Sequence, residues 1–230
     1  ASHNPMEFNG IKIFKGDGYK LPDEVENQIE AHVFNNCTDI RLAEGADIGR
    51  IKMCRTGVKD YVDFLQEHID ADLTGLKVLF DCANGASSAT AGRLFDRFED
   101  LHADIINADP DGVNINNGCG STHLDGLKSM VTAGKYDLGI AFDGDADRCL
   151  MVDETGEEKG REIDGDQVIA ACGLELMGKG LLPGNAIVGT VMSNLGLHVF
   201  CREHNMELFC TAVGDRNVLE KMEESGYVLG

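Results

Sequence analysis

Apolar residues recur along the chain in two rhythms, one helical and one of strands. Pro22-Asp23-Glu24 opens a helix on which Val25, Ile29 and Val33 recur at helical spacing. Thr56 opens a second, with Val58, Tyr61, Val62, Leu65 and Ile69 on one side. Residues 36–55 read as a connection, and 1–20 as loop with a short strand in which Ile11 and Ile13 alternate with Lys12. From Leu76 short apolar runs take over. Strands are predicted at 76–81, 103–106, 138–143 and 149–153. Helices are predicted from Ser87-Ser88 through Leu94 and Phe95, and from Ser121 to Ala133. Asn84-Gly85 and Thr155-Gly156 supply turns.

A weaker copy of this order follows. Asp166–Met177 reads as a helix, 186–191 as a strand, and Ser193-Asn194 as the cap of a helix through Leu197 and Phe200. A strand at 208–210 and a helix from Gly214-Asp215 through Val218, Leu219 and Met222 complete it. The repeat lies about 110 residues after the first, roughly one domain length. It predicts an α/β chain of tandem domains, with a boundary in the polar stretch near 154–163. The chain begins without Met, inside a loop, and ends on an apolar run at 224–230 that reads as a strand, so a piece of a longer protein is expected.

Composition narrows the function classes. Against 20 Lys and Arg stand 40 Asp and Glu, a net charge of −20, which argues against a nucleic-acid partner. No run approaches the length of a membrane span, and no signal peptide is visible. The 8 cysteines contain no CxxC pair and sit singly among apolar residues; buried free thiols in a reducing, cytoplasmic compartment are expected.

Candidate chemistry concentrates in Asp143-Gly144-Asp145-Ala146-Asp147-Arg148. Three carboxylates at alternate positions, spaced by small residues just past a strand, repel one another unless a cation or proton relieves them. Hard oxygen ligands suit Mg²⁺ or Ca²⁺, and the carboxyl end of a strand is where open α/β sheets hold ligands. A solvated acidic turn is the plain alternative. An EF-hand loop shares the spacing but needs Gly where Arg148 stands, and helices rather than strands on either side. A haloacid-dehalogenase-type phosphatase also opens on a strand and an Asp-x-Asp pair, but its usual fifth residue is Thr or Val, where Asp147 stands.

Ala1-Ser2-His3-Asn4-Pro5, then Asn9-Gly10-Ile11-Lys12, then DGDADR some 140 residues on, resembles the α-D-phosphohexomutase superfamily. Asp81-Cys82-Ala83-Asn84-Gly85-Ala86, Gly112-Val113-Asn114-Ile115-Asn116, Gly189-Thr190-Val191-Met192-Ser193-Asn194 and Val213-Gly214-Asp215-Arg216 extend the likeness along nearly the whole chain. The resemblance implies an α/β fold of tandem α-D-phosphohexomutase-type domains, mixed sheets covered by helices, present here as a partial chain. The expected divisions are 1–49, the end of domain 1 with the serine loop; 50–154, domain 2 with the metal loop; and 155–230, most of domain 3. The main sugar-reading loop would lie beyond residue 230.

By the same resemblance, Ser2 carries a phosphoryl group and exchanges it between the 6- and 1-hydroxyls of a hexose phosphate, the softer segments favouring an amino sugar. Asp143, Asp145 and Asp147 would hold Mg²⁺ together with Ser2, and His3 would contact the phosphate. Lys12 is the candidate general base or charge stabiliser, or else a strand lysine with its stem on apolar surface. Arg148 would face the phosphosugar, or else pair with the aspartates. Asp215 and Arg216 would bind the sugar or its phosphate from a helix start, or Asp215 would simply cap that helix. The expected partner is a small phosphosugar, with no nucleic acid and no membrane, and a homodimer is allowed. A phosphoglucomutase or phosphomannomutase of the same superfamily and a non-catalytic phosphosugar-binding module are the other readings.

Overall fold

A computed structural model describes residues 2–8, 10–38, 40–155 and 160–230. Ala1, Asn9 and Gly156, named above in the serine segments and the turn after 153, lie outside the described residues. The chain divides into two compact units, Gly10–Tyr61 on one hand and Ala1–Asn9 with Val62–Gly230 on the other.

The smaller unit holds helix α1 (Asp23–Phe34), begun after Pro22 with Asp23, Glu24 and Glu26 in its first turn, where carboxylates favour the helix dipole. A short 3-10 turn, Gly45–Asp47, lies in the connection expected at 36–55. The short strand expected around Ile11 and Ile13 is not formed. Among the described residues that stretch has an isolated bridge, Phe14 to Lys20, and no strand. Lys12 is therefore not a strand lysine. Helix α2 (Gly57–His68) follows Thr56, whose carbonyl accepts from the Asp60 N–H at 2.8 Å.

From Val62 onward α2 belongs to the larger unit. Val62 is fully buried, and Asp63 pairs with Arg97 at 2.8 Å. Strands β1 (Lys77–Asp81), β2 (His102–Ile106), β3 (Leu138–Phe142), β4 (Cys149–Asp153) and β5 (Arg161–Ile163) form one mixed sheet in the order β2-β1-β3-β4-β5. β1 runs parallel to both β2 and β3, whereas β4 and β5 are antiparallel additions. β1 is buried on both faces, as expected of a central strand in a covered sheet. On one face Phe80 stacks on Phe95 of helix α3 (Ala91–Phe95), with ring centroids 3.8 Å apart. On the other, Leu127 and Val131 of helix α4 (Asp125–Gly134) pack with Leu79, Ala141 and Val152. Burying Leu127 and Val131 contributes roughly 1.5–3 kcal/mol each.

Two predicted helices change shape here. The one from Ser87 is a 3-10 turn, Ala86–Ala89, followed by α3. α4 starts at Asp125 rather than Ser121, because Ser121 is held by the sheet: its N–H donates to the Phe142 carbonyl at 2.9 Å. β5, three residues with a polar majority, was not expected.

The second sheet is a parallel pair, β6 (Ala186–Thr190) and β7 (Glu207–Thr211). Helices α5 (Gly165–Gly178) and α6 (Leu195–Glu203) bury Leu182, Ile187, Leu197, Cys201 and Met206 between them and the strands. α5 opens with a reciprocal capping box between Asp164 and Gln167, and Asn194 caps α6 by accepting from the Leu197 N–H at 3.0 Å. Helix α7 (Asp215–Ser225) closes the set. The strand expected at 224–230 is absent: α7 runs to Ser225, and the chain beyond it meets β6 through one bond, Val188 N–H to the Leu229 carbonyl at 2.9 Å. The cysteines are free, but only Cys82, Cys119 and Cys201 are buried; Cys37, Cys54, Cys149, Cys172 and Cys210 are exposed, against the expectation of buried thiols. Among the described residues no helix is long and apolar enough to cross a membrane.

Candidate functional site

The order β2-β1-β3 makes the chain reverse direction across the sheet between β1 and β3. At such a switch point the loops leaving the two strands diverge and open a crevice at their carboxyl ends. Asp81 and Ala141 are register partners there, so the loops after residues 81 and 142 emerge side by side.

The loop after β1 is built around Asp81, a carboxylate only 2% exposed. It accepts the Ala83 N–H and the Gly120 N–H, both at 2.9 Å, which ties this loop to the 116–121 segment. Ala83 and Asn84 both take left-handed backbone, with φ of 53° and 49°. That is costly for alanine and persists only where the surroundings over-determine it. The surroundings do so: the Ala83 carbonyl accepts the Asn116 N–H at 2.9 Å, and the Asn84 N–H donates to the Asn107 carbonyl at 2.6 Å.

Two glycines let the loops close on each other. At Gly120 (φ +74°) a Cβ would lie 2.6 Å from the Phe142 carbonyl oxygen. At Gly85 it would lie 2.2 Å from the carbonyl oxygen of Gly144, inside the acidic loop, and the next residue, Ala86, donates its N–H to that same oxygen at 2.8 Å. Burial pushes the neighbouring Cys119 thiol up to about 11, and the Asp81 charge acts in the same direction.

The acidic loop joins β3 to β4, so strands flank it and the EF-hand alternative is excluded. Asp143 is fully buried. Its Oδ1 accepts the Arg148 N–H at 3.1 Å, and its N–H donates to the Arg148 carbonyl at 3.3 Å, closing the loop at its base. Ala146 turns the chain at φ 61°. Asp143, Asp145 and Asp147 each offer a carboxylate oxygen within 4.8 Å of the other two. That separation fits a single divalent cation, and the all-oxygen donor set suits a hard one.

The serine segment docks on this loop. Ser2 Oγ donates to Asp143 Oδ2 at 2.7 Å, and the Ser2 carbonyl accepts the Gly144 N–H at 2.9 Å. The same carbonyl accepts from the Asn116 carboxamide at 2.7 Å, which also donates to the Asn4 carbonyl at 3.0 Å. Residues separated by 141 positions in sequence thus share one cluster, and the hydroxyl lies in hydrogen-bond contact with a carboxylate of the candidate cation site.

His3 and Arg148 are exposed; the Arg148 N–H donates to Asp143 Oδ1, and the Arg148 carbonyl accepts the Asp143 N–H. Lys12 lies in the smaller unit. Arg216 pairs with Glu220 on its own helix at 2.9 Å. The cap of α7 is Gly214, at φ 133°, and Asp215 is the first residue inside the helix, so Asp215 does not cap it. Sequence reasoning assigned no role to Asp81 or Asn116, although both stand in the segments that carried the resemblance.

Three successive models of one family match the chain. They are Phosphoglucomutase/phosphomannomutase, alpha/beta/alpha domain I at residues 1–39, domain II at 59–156 and domain III at 164–230. The chain belongs to the phosphoglucomutase/phosphomannomutase family. Among curated relatives, the phosphoglucosamine mutase of Clostridium novyi is 50% identical over 232 residues, covering 100% of this chain and 50% of that protein. The phosphoglucosamine mutase of Acetivibrio thermocellus is 51% identical over 232 residues, with the same coverage. The crystal structure of a phosphoglucomutase/phosphomannomutase family protein from Burkholderia thailandensis is 25% identical, with a TM-score of 0.75, and covers 98% of this chain and 46% of that one. The chain spans about half the length of the curated relatives it matches. Family membership removes the haloacid-dehalogenase reading of the acidic loop.

Proposed function

We propose that this chain supplies the phosphoserine and cation-binding parts of a phosphoglucosamine mutase, a cytoplasmic isomerase that interconverts glucosamine 6-phosphate and glucosamine 1-phosphate. The observation that carries this reading is the contact of Ser2 Oγ with Asp143 at 2.7 Å, beside Asp145 and Asp147. Phosphoglucosamine mutases about half identical over the whole chain favour the amino sugar over glucose or mannose. The divisions 1–49, 50–154 and 155–230 belong to the same reading, supported by the order of the three domain matches.

In the reaction, the bond between phosphorus and Ser2 Oγ breaks as the free hydroxyl oxygen of the sugar phosphate bonds to that phosphorus. The hydroxyl proton passes to a base, for which Lys12 is the candidate on the sequence resemblance alone. The bisphosphorylated sugar turns around, the bond between its other phosphorus and the sugar oxygen breaks as Ser2 Oγ bonds to that phosphorus, and the freed sugar oxygen takes the proton back from the base. Asp143, Asp145 and Asp147 would hold Mg²⁺ with an oxygen on Ser2; when bound, the cation draws charge from the oxygens of the phosphoryl group in transfer. His3 would steady the phosphate on Ser2, and Arg148, Asp215 and Arg216 would contact the phosphosugar.

The test is mutase activity in a protein extended to the length of its relatives. Glucosamine, glucose and mannose 6-phosphates are offered side by side, each primed with its bisphosphate. The wild type should prefer glucosamine phosphate and carry phosphate on Ser2, and Ser2→Ala should abolish transfer. Retained activity in Ser2→Ala, or phosphate trapped on Asp143 instead, would overturn the proposal. Binding without turnover in the extended wild type would leave a phosphosugar-binding module.

A further inference from the structure

We propose that Asn116 is a positioning residue, whose side chain holds the Ser2 segment in register with the acidic loop. This rests on the phosphoserine reading for its catalytic consequence, but not for its geometry.

The Ser2 carbonyl accepts two hydrogen bonds. One comes from the Gly144 N–H between Asp143 and Asp145, and the other from Asn116 Nδ2. The second proton of that amide goes to the Asn4 carbonyl at 3.0 Å. Both donors of one carboxamide are therefore spent on a segment 112–114 residues away in sequence. The carboxamide's own oxygen is buried and accepts no hydrogen bond from the described residues. A flipped amide would set that oxygen against two carbonyl oxygens, so the neighbours fix its orientation. Backbone and side chain act together. Asn116 is 5% exposed, sits at φ 56°, and ties its N–H to Ala83 in the loop after β1. One residue thus joins three loops, and the position of Ser2 over Asp143 follows from that junction.

Two variants isolate the side chain. Asn116→Gly keeps the left-handed backbone at no steric cost and deletes both donors. Asn116→Asp keeps the size and tolerates that backbone, but turns an acceptor towards two carbonyls. Amide hydrogen exchange on the chain itself reads the outcome. In both variants protection of the Gly144 amide should fall by about fivefold, the value of one hydrogen bond of ordinary strength. Amides of β1 and β3 should keep theirs, which shows that the fold is intact. Unchanged protection at Gly144, or an equal loss throughout the sheet, would overturn the proposal.

A second arm follows phosphate arriving on Ser2 from a hexosamine 1,6-bisphosphate, by mass spectrometry, in the protein of full relative length. Misplacing a reacting group by about 1 Å can cost 10²-fold, so both variants should slow phosphorylation by about that factor while the bisphosphate concentration for half-maximal rate stays near that of the wild type. An unchanged rate, or a loss expressed only in that concentration, would contradict the positioning role. Should the wild type take no phosphate at all, the phosphoserine reading fails, and the exchange result alone decides the role of Asn116.

Discussion

Gly85→Ala tests whether contact between the loop after β1 and the acidic loop sets the candidate cation site. An added methyl would meet the Gly144 oxygen at 2.2 Å, its Cα at 2.7 Å and its carbonyl carbon at 2.8 Å. All three are backbone atoms, so no flexible side chain can step aside. Ordinary contact begins near 3.4 Å, which requires the loops to part by about 1 Å. That movement strains two bonds, Ala86 N–H to the Gly144 carbonyl and Gly144 N–H to the Ser2 carbonyl. Overpacking of this kind costs about 1–3 kcal/mol. If the strain falls on the acidic loop, affinity for a divalent cation should drop by about tenfold or more, since 1.4 kcal/mol is a factor of ten. Isothermal titration with Mn²⁺ as the probe, against the wild type, measures it. Gly92→Ala is the control: its Cβ would meet only Ile105 Cδ1, at 3.5 Å, within helix α3, so cation binding should be unchanged and stability equal or slightly higher. Wild-type affinity in Gly85→Ala would refute the coupling of the two loops.

Two further outcomes concern the cysteines and the Tyr136–Asp104 pair. Alkylation at pH 8, read by mass spectrometry, should label Cys54 quickly, because backbone and side-chain hydrogen bonds from Thr56 lower its pKa. Cys119 should resist, since a thiol at about 11 is only about a thousandth ionised there and is buried as well; equal rates would contradict this. The Tyr136 hydroxyl donates to Asp104 at 2.6 Å and is the main cause of that carboxyl's lowered pKa, aided by His102 and Lys77 and opposed by burial. A lowered folded value gives stability that is present at neutral pH and lost as pH falls through the ordinary carboxylate range and below it. The Tm gap between wild type and Tyr136→Phe should therefore narrow from pH 5 towards pH 2, within a total of under about 1 kcal/mol because Asp104 is partly exposed. A gap independent of pH would exclude this linkage.

The strands of the larger unit were readable because their apolar runs are short and bounded by turn residues, and β1, β3, β4 and β6 lie within a residue of their predicted spans. β5 was hidden because Arg161-Glu162-Ile163 has no strand-like composition. Its pairing comes from the β4 backbone and from the bond between Arg161 and Asp153. The false start of α4 has a similar origin: Ser121 looks like a helix cap, but its N–H is committed to the sheet. In the site, the three aspartates announce themselves by spacing and charge. Asp81 and Asn116 do not, because an isolated Asp or Asn in a loop reads as a turn residue. Their partners lie far off in sequence, Gly120 for one and Ser2 and Asn4 for the other, where no local pattern reaches.

The serine segment is moored through main-chain carbonyls, those of Ser2 and Asn4, rather than through the hydroxyl alone. An anchor of that kind does not depend on what is attached to Oγ. On the proposed phosphoserine reading, the hydroxyl would gain and lose a bulky, doubly charged substituent and exchange its bond to Asp143 for other partners, while the backbone beneath it stays tethered.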